Sequence, residues 1–185
     1  MSLSRPALQQ LPSKDATIRR AIVADPGFAI VTCDYSQIEM RVLAGLCRDP
    51  RMLDAIMSGQ DLHNFTAEAI FGETFTPRDR KLCKAVGLGK VYGGGAPNVS
   101  RDTGIELTSV RTAMAKYDST FPGIKEYGEL VLAKAQARDR LEVVNAHGRI
   151  IPMDPTRPWA AINYSVQSIA RDILADAVVR IFDAG

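Results

Sequence analysis

Apolar positions change their spacing once along this chain, and the change divides it. Through Asp25 the residues are polar and irregular, with "TIRRAI" the one candidate for a short edge element. "GFAIVTCD", Gly27 to Asp34, is then almost continuously apolar or β-branched, the pattern of a single buried strand. Beyond it the spacing turns helical. Ile38 to Cys47 is apolar enough for a short helix, and Asp49-Pro50 offers a cap followed by proline at the first helical position of a helix to about Ser58. Asp61 caps another helix, to Phe71. Thr76, Pro77 and Asp79 have the spacing of a capping box, opening a helix that Gly93, Gly94 and Gly95 should stop after Tyr92. Two more helices follow, from about Thr108 to Ser119 and from Pro122 to Arg138.

"RLEVVNAHGRIIPM" reads as a hairpin turning at Ala146 to Gly148. In the last helix, from about Trp159, Ile162, Val166, Ile169 and Ile173 recur at spacings of three and four and make one core face. The fold class is therefore α+β and predominantly helical, with one central strand and a hairpin. A lone central strand leaves its backbone groups unpaired, so more sequence is expected beyond Gly185.

Composition narrows this picture without redirecting it. The 185 residues suit one domain or a large fragment of a longer protein, and 46% hydrophobic content permits a real core. No apolar run is long enough to span a membrane, and "MSLSRPALQQ" has no apolar stretch of a secretion signal. Cys33, Cys47 and Cys83 lack CxxC spacing, which predicts buried thiols in a reducing, intracellular setting. A net charge of +2 does not by itself argue for nucleic acid.

Candidate chemistry begins with Asp34. An ionised acid at the end of a buried strand needs a cation or a metal ion. On the helix from Pro77, Arg80, Lys84 and Leu88 fall within an arc of roughly 80°, with Tyr92 a turn further on. From Arg80 to Tyr92 is about 18 Å at about 1.5 Å per residue, long enough to meet an extended nucleoside triphosphate. Arginine presents a planar fork to phosphate oxygens and lysine a point charge. The same spacing also suits a solvated basic face with Leu88 and Tyr92 in the core. Gly87 and Gly89 follow no strand and make a weak dinucleotide fingerprint. His63 and His147 read as structural, no zinc set is present, and Ser36 has no histidine at a useful spacing. Asn163, Gln167 and Arg171 form a stripe beside the apolar face of the last helix, suited to nucleic-acid edges and sugars or to simple solvation.

Together these stretches resemble the family A DNA polymerases, the bacterial DNA polymerase I group. "DYSQIEMRVLAGLCRD" is similar to that family's motif A and "RDRKLCKAVGLGKVYG" to its motif B, with supporting likeness in "DLHNFTAEAIFG", "FPGIKEY" and "INYSVQSIARDIL". The resemblance is collinear from about Leu8 to Phe182. It implies fingers helices with a partial palm: residues 1–7 a leader or disordered segment, 8–48 partial palm with the motif A strand, 49–140 fingers, and 141–185 a hairpin and helix returning to the palm. It implies that Asp34 is a catalytic carboxylate binding Mg²⁺, that the Tyr35 carbonyl is a further metal ligand, and that Glu39 is a gate against the ribose hydroxyl with Gln37 lining the same pocket. Arg80, Lys84 and His63 would contact the triphosphate, Leu88 the incoming base, and Tyr92 both nucleotide pocket and template. Asn163 and Gln167 would touch DNA, with Arg171 beside them, and Lys14 would reach the primer terminus. Partners would be primer-template DNA and dNTP, in the cytoplasm of a bacterial or phage-infected cell.

Three departures qualify the resemblance. Leu88 stands where many members carry an aromatic residue, and Lys14 replaces an arginine. The family's motif C, a His-Asp-Glu turn, has no counterpart, and neither does the thumb. Two-metal phosphoryl transfer clamps ions about 3.5–4 Å apart between carboxylates. With Glu39 assigned to the sugar, that clamp is half built, and the isolated chain is expected to be inactive. A split polymerase completed by a partner chain, and a non-catalytic nucleotide- or DNA-binding module, remain alternative readings.

Overall fold

The computed structural model describes Thr17 and residues 20–137 and 140–184. Residues 1–7 and Lys14 lie outside the described residues. The chain divides into two units, Met1–Ser36 and Gln37–Gly185.

The first unit corrects the strand expectation. Gly27 to Asp34 is neither strand nor helix, and Phe28, Ile30 and Val31 are 79%, 54% and 82% exposed. The physical reason is pairing. A strand needs a neighbour for its backbone N–H and C=O groups, and the strands among the described residues pair only with each other. Cys33 is exposed as well, Cys47 is half-buried, and only Cys83 is buried. Burial, then the nearby Asp79 charge, pushes the Cys83 thiol up to about 12.

The second unit is helical: α1 (Ile38–Cys47), α2 (Pro50–Met57), α3 (Leu62–Phe71), α4 (Pro77–Tyr92), α5 (Ala96–Thr103), α6 (Leu107–Thr120), α7 (Pro122–Gln136) and α8 (Ala161–Asp183). The predicted caps act as such. Asp49 accepts from the Met52 N–H at 3.1 Å. Thr76 and Asp79 exchange hydrogen bonds with each other's backbone N–H, completing the capping box of α4. Helix α5 was not foreseen. Only Val99 of its residues is buried, so its sequence carries almost no apolar period. Its close packing on α4 depends on Gly89, where an added Cβ would stand 2.9 Å from the Val99 side chain.

The main core gathers Leu43, Met52, Leu62, Val86, Val110 and Val166, all fully buried. Phe121 joins α6 to α7, lying 5.1 Å edge-on from Tyr117 and 6.1 Å from Phe65. Each such buried side chain contributes about 1.5–3 kcal/mol relative to exposure. Helix α8 buries Ile162, Val166 and Ile169 as its periodicity requires, with Ile173 partly covered.

Strands β1 (Glu142–Val144) and β2 (Ile150–Pro152) are antiparallel, with Val143 opposite Ile151. The buried Asn145 ties their turn, its Oδ1 accepting from the backbone N–H of His147 and of Arg149. A carboxylate on α8 then clamps the hairpin down. Asp172 accepts from Arg149 Nε at 3.0 Å and Nη2 at 2.7 Å, and from Asn145 Nδ2 at 2.9 Å. His147 Nδ1 lies 3.4 Å away, consistent with a structural role for that histidine. No helix among the described residues is long and apolar enough to cross a membrane.

Candidate functional site

A single carboxylate joins three helices at the open end of α3. Asp61 caps α3 by accepting from the Asn64 N–H at 2.8 Å. Gln37 immediately precedes α1 in a left-handed conformation, φ 53°, rare for a residue with a side chain. Its Nε2 donates to Asp61 at 2.6 Å, while its Oε1 accepts from the Leu62 N–H at 3.1 Å. From α4, Arg80 donates through Nη2 to both Asp61 oxygens at 3.2 Å and through Nε to Asn64 Oδ1. Two edges of the guanidinium are thereby fixed, and Nη1 has no hydrogen-bond partner among the described residues. The Arg80 side chain remains 39% exposed.

His63 is buried beside this pair and Lys84 is exposed. Burial pushes the imidazole below its usual range; Asp61 opposes this, and the Lys84 and Arg80 charges reinforce it. Burial alone would raise the Asp61 carboxyl, but the Asn64 N–H, Arg80 and Gln37 outweigh it and hold it low. The structure thus brings Gln37, His63 and Arg80 together around Asp61, with Lys84 near His63. A neutral imidazole, a fixed guanidinium and an exposed ammonium form an anion-binding arrangement.

Further along α4, the stripe leaves the core. Leu88 is half-buried and Tyr92 is 38% exposed, which overturns the alternative that places both in the core. The Tyr92 hydroxyl donates to Glu39 Oε1 at 2.5 Å, with the Gln167 amide nearby. Burial, then the bond to Glu39, raises the phenol above its usual range. Helix α8 brings Gln167, beside Asn163, to the end of α4, and both line a pocket of about 170 Å³ with Arg157, Ala160 and Tyr164. Arg171 is exposed, its Nη1 3.6 Å from Asp172.

Asp34 and Tyr35 belong to the first unit, where both are exposed. Among the described residues no group of three or more His, Cys, Asp or Glu could hold a metal ion. One carboxylate and one backbone carbonyl do not make a two-ion clamp, so the donors present fit that group only in part.

Two features escaped the sequence reading. Asp61 was read only as a cap, though "DLHN" places two acceptors where α4 can meet them. Trp159, the one tryptophan of the chain, is 53% exposed beside Gly93.

Comparisons with known proteins converge. The model of DNA polymerase family A matches residues 1–185. The chain is 38% identical to a DNA polymerase of Mycobacterium phage D29, the match covering 100% of this chain and 30% of the phage protein. It is 33% identical to the thermostable DNA polymerase I of Thermus thermophilus, covering 98% of this chain and 24% of that protein. Its fold is similar to the POL domain of Pol1 from M. smegmatis, in a structure titled as a complex with DNA primer-template and dNTP. That likeness has a TM-score of 0.74 at 29% identity and covers 91% of this chain and 32% of the other. The chain therefore spans about a quarter to a third of the lengths of these relatives, and over that span it belongs to DNA polymerase family A.

Proposed function

We propose that this chain is the nucleotide-binding part of a template-directed DNA polymerase, which adds dNTP to a primer 3′ end. The observation that carries the reading is the meeting of Arg80 and Lys84 beside His63, with Arg80 held on Asp61, on α3 and α4. In a family A chain, these are the groups to receive a triphosphate. Arg80 presents its open edge and Lys84 its mobile ammonium. His63, held neutral by burial, can donate one hydrogen bond without adding a charge that must be desolvated.

Glu39 and Gln37 take the sugar side of the pocket and Leu88 the base. Leucine retains an apolar surface but not a ring for stacking, which weakens base contact. Tyr92, fastened to Glu39, shields the template, while Asn163, Gln167 and Arg171 meet DNA. Lys14 is assigned to the primer terminus. The division into partial palm, fingers and returning hairpin and helix follows the same reading.

Asp34 and the Tyr35 carbonyl are this chain's contribution to Mg²⁺ binding. When bound, the metal supplies charge stabilisation for phosphoryl transfer. A second carboxylate must come from motif C, on a segment outside these residues together with the thumb. The relatives of greater length make such a segment the natural source.

Charge-assisted hydrogen bonds contribute about 1.5–3 kcal/mol each, against an association cost of roughly 4–15 kcal/mol. Binding of dNTP by this chain alone is therefore expected to be no tighter than about the millimolar range, and weaker in salt. An NMR titration with dNTP and Mg²⁺ checks the assignment: shifts centred on Arg80, Lys84 and His63 support it, and shifts clustered elsewhere defeat it. In a preparation free of other polymerases, the chain alone should not extend a primed template. Measurable incorporation would overturn the half-built clamp.

A further inference from the structure

Trp159 sits in a short 3₁₀ turn, Pro158–Ala160, that leads into α8. Its indole edge lies on the last turn of α4, so close that a Cβ on Gly93 would stand 2.5 Å from Trp159 Cδ1. Gly93 itself has φ +70°, so glycine there satisfies both the left-handed backbone and the approach of the ring. Packing on Gly93 fixes the ring but does not bury it, since 53% of the residue remains in water.

The surroundings are polar and cationic. Arg157 and Ala160, on either side of Trp159 in the chain, line the pocket of about 170 Å³ that Asn163, Tyr164 and Gln167 complete. Gln167 also lies near the Tyr92 hydroxyl, so two exposed aromatic side chains, the Arg157 guanidinium and two amides share one patch. The Arg157 charge reaches Asp154, but that carboxylate is turned to the Thr156 N–H and hydroxyl. A structural plug would hide the indole. A platform for an unpaired base needs it open, with a cation within reach of phosphate.

We propose that Trp159 and Arg157 form a binding platform for single-stranded DNA, Trp159 stacking on an unpaired base of the template and Arg157 holding the adjacent phosphate. The proposal rests on the polymerase reading and adds two residues and a mode of contact to it. A strand is favoured over a free nucleotide because the indole and the guanidinium flank a pocket of amides, which suits neighbouring units of one chain.

Trp159 is the only tryptophan among the 185 residues, so intrinsic emission reports on it alone. The full chain is titrated with a fluorescein-labelled single-stranded oligonucleotide, following anisotropy of the label. A parallel titration with the unlabelled strand follows tryptophan emission. The expected result is quenching that tracks the anisotropy. Trp159→Ala should lose roughly ten-fold in affinity, and Trp159→Phe, which keeps a ring, much less. Arg157→Ala should flatten the dependence of log affinity on log salt by about 0.7, one phosphate on a single strand. Binding without any change in emission overturns the platform even if Trp159→Ala fails to fold, and so does equal affinity of the alanine and phenylalanine variants. Equal quenching by dTMP alone at the same concentration also overturns it, since the site would then take a free nucleotide. Flat anisotropy for every protein removes DNA binding itself, and with it the platform.

Discussion

Asp61 and Asp172 each accept hydrogen bonds from an arginine and a neighbouring amide, and each joins parts of the chain distant in sequence. Their surroundings differ in what is left over. Asp172 is 10% exposed and its oxygens take Arg149 three times and Asn145 once, with His147 and Arg171 alongside. The Arg149 bonds act first, then burial opposes, and the Asn145 and His147 bonds help hold the carboxyl at about 2. Asp61 is 34% exposed and leaves Arg80 with an open edge. A saturated carboxylate locks a hairpin to a helix. An unsaturated one positions a cation for something else to use. Charge pairing alone does not separate these two surroundings, whereas residual hydrogen-bonding capacity does.

The sharpest break of this comparison is Asp172→Asn. The new amide NH₂ would face donors on Arg149 and Asn145, leaving the buried Asn145 amide short of an acceptor. We expect a loss of about 2 kcal/mol in chemical denaturation at neutral pH. The pH dependence has a definite sign. The folded carboxyl lies below its unfolded value of about 3.9, so its stabilisation is present above about pH 4 and lost as pH falls toward 2. In Asp172→Asn that part of the acid transition should vanish. A variant as stable as the parent would show the clamp to be ornamental.

Next comes Arg80→Ala, which removes the open cation. Binding of Mg²⁺-dNTP should weaken by about ten-fold, while stability changes little because the pair with Asp61 is exposed and screened. Asp172→Asn should show the reverse pattern, with stability lost and binding kept under conditions where it is folded. If both variants shift both quantities alike, the distinction between the two carboxylates fails.

How far the sequence anticipated this depends on what each residue answers to. Asp49, Asp61, Thr76 and Pro77 act within three or four positions of chain, so the helix starts were legible. Ile162, Val166 and Ile169 were legible for the same reason, since a helix repeats its own face. The run Gly27 to Asp34 was misread because a strand is a relation between two segments, and apolar composition reports only one. Helix α5 was missed because a single buried valine supplies no period. In the site, the Arg80, Lys84 and Tyr92 stripe was visible as spacing. The hub at Asp61 was not, because Gln37, Asp61 and Arg80 meet only after α1, α3 and α4 pack.

A local change gives a smaller effect. Thr76→Ala opens the capping box of α4 and should cost about 1 kcal/mol, without the binding loss of Arg80→Ala. Amide exchange in the first turn of α4 measures it directly, and unchanged protection there would show that tertiary packing alone fixes the helix start.

The smallest expected effect is the most instructive, because it repeats the first substitution at the other carboxylate. Asp61→Asn keeps an oxygen for the Asn64 N–H, and asparagine caps helices about as well as aspartate. It gives up the charge toward Arg80 and one acceptor toward Gln37, both at positions that water can reach. The expected loss is therefore about 0.5 kcal/mol, against about 2 for the same change at Asp172. Equal losses at the two sites would mean that exposure and residual capacity do not matter, and Arg80 would then have to be counted as a structural residue.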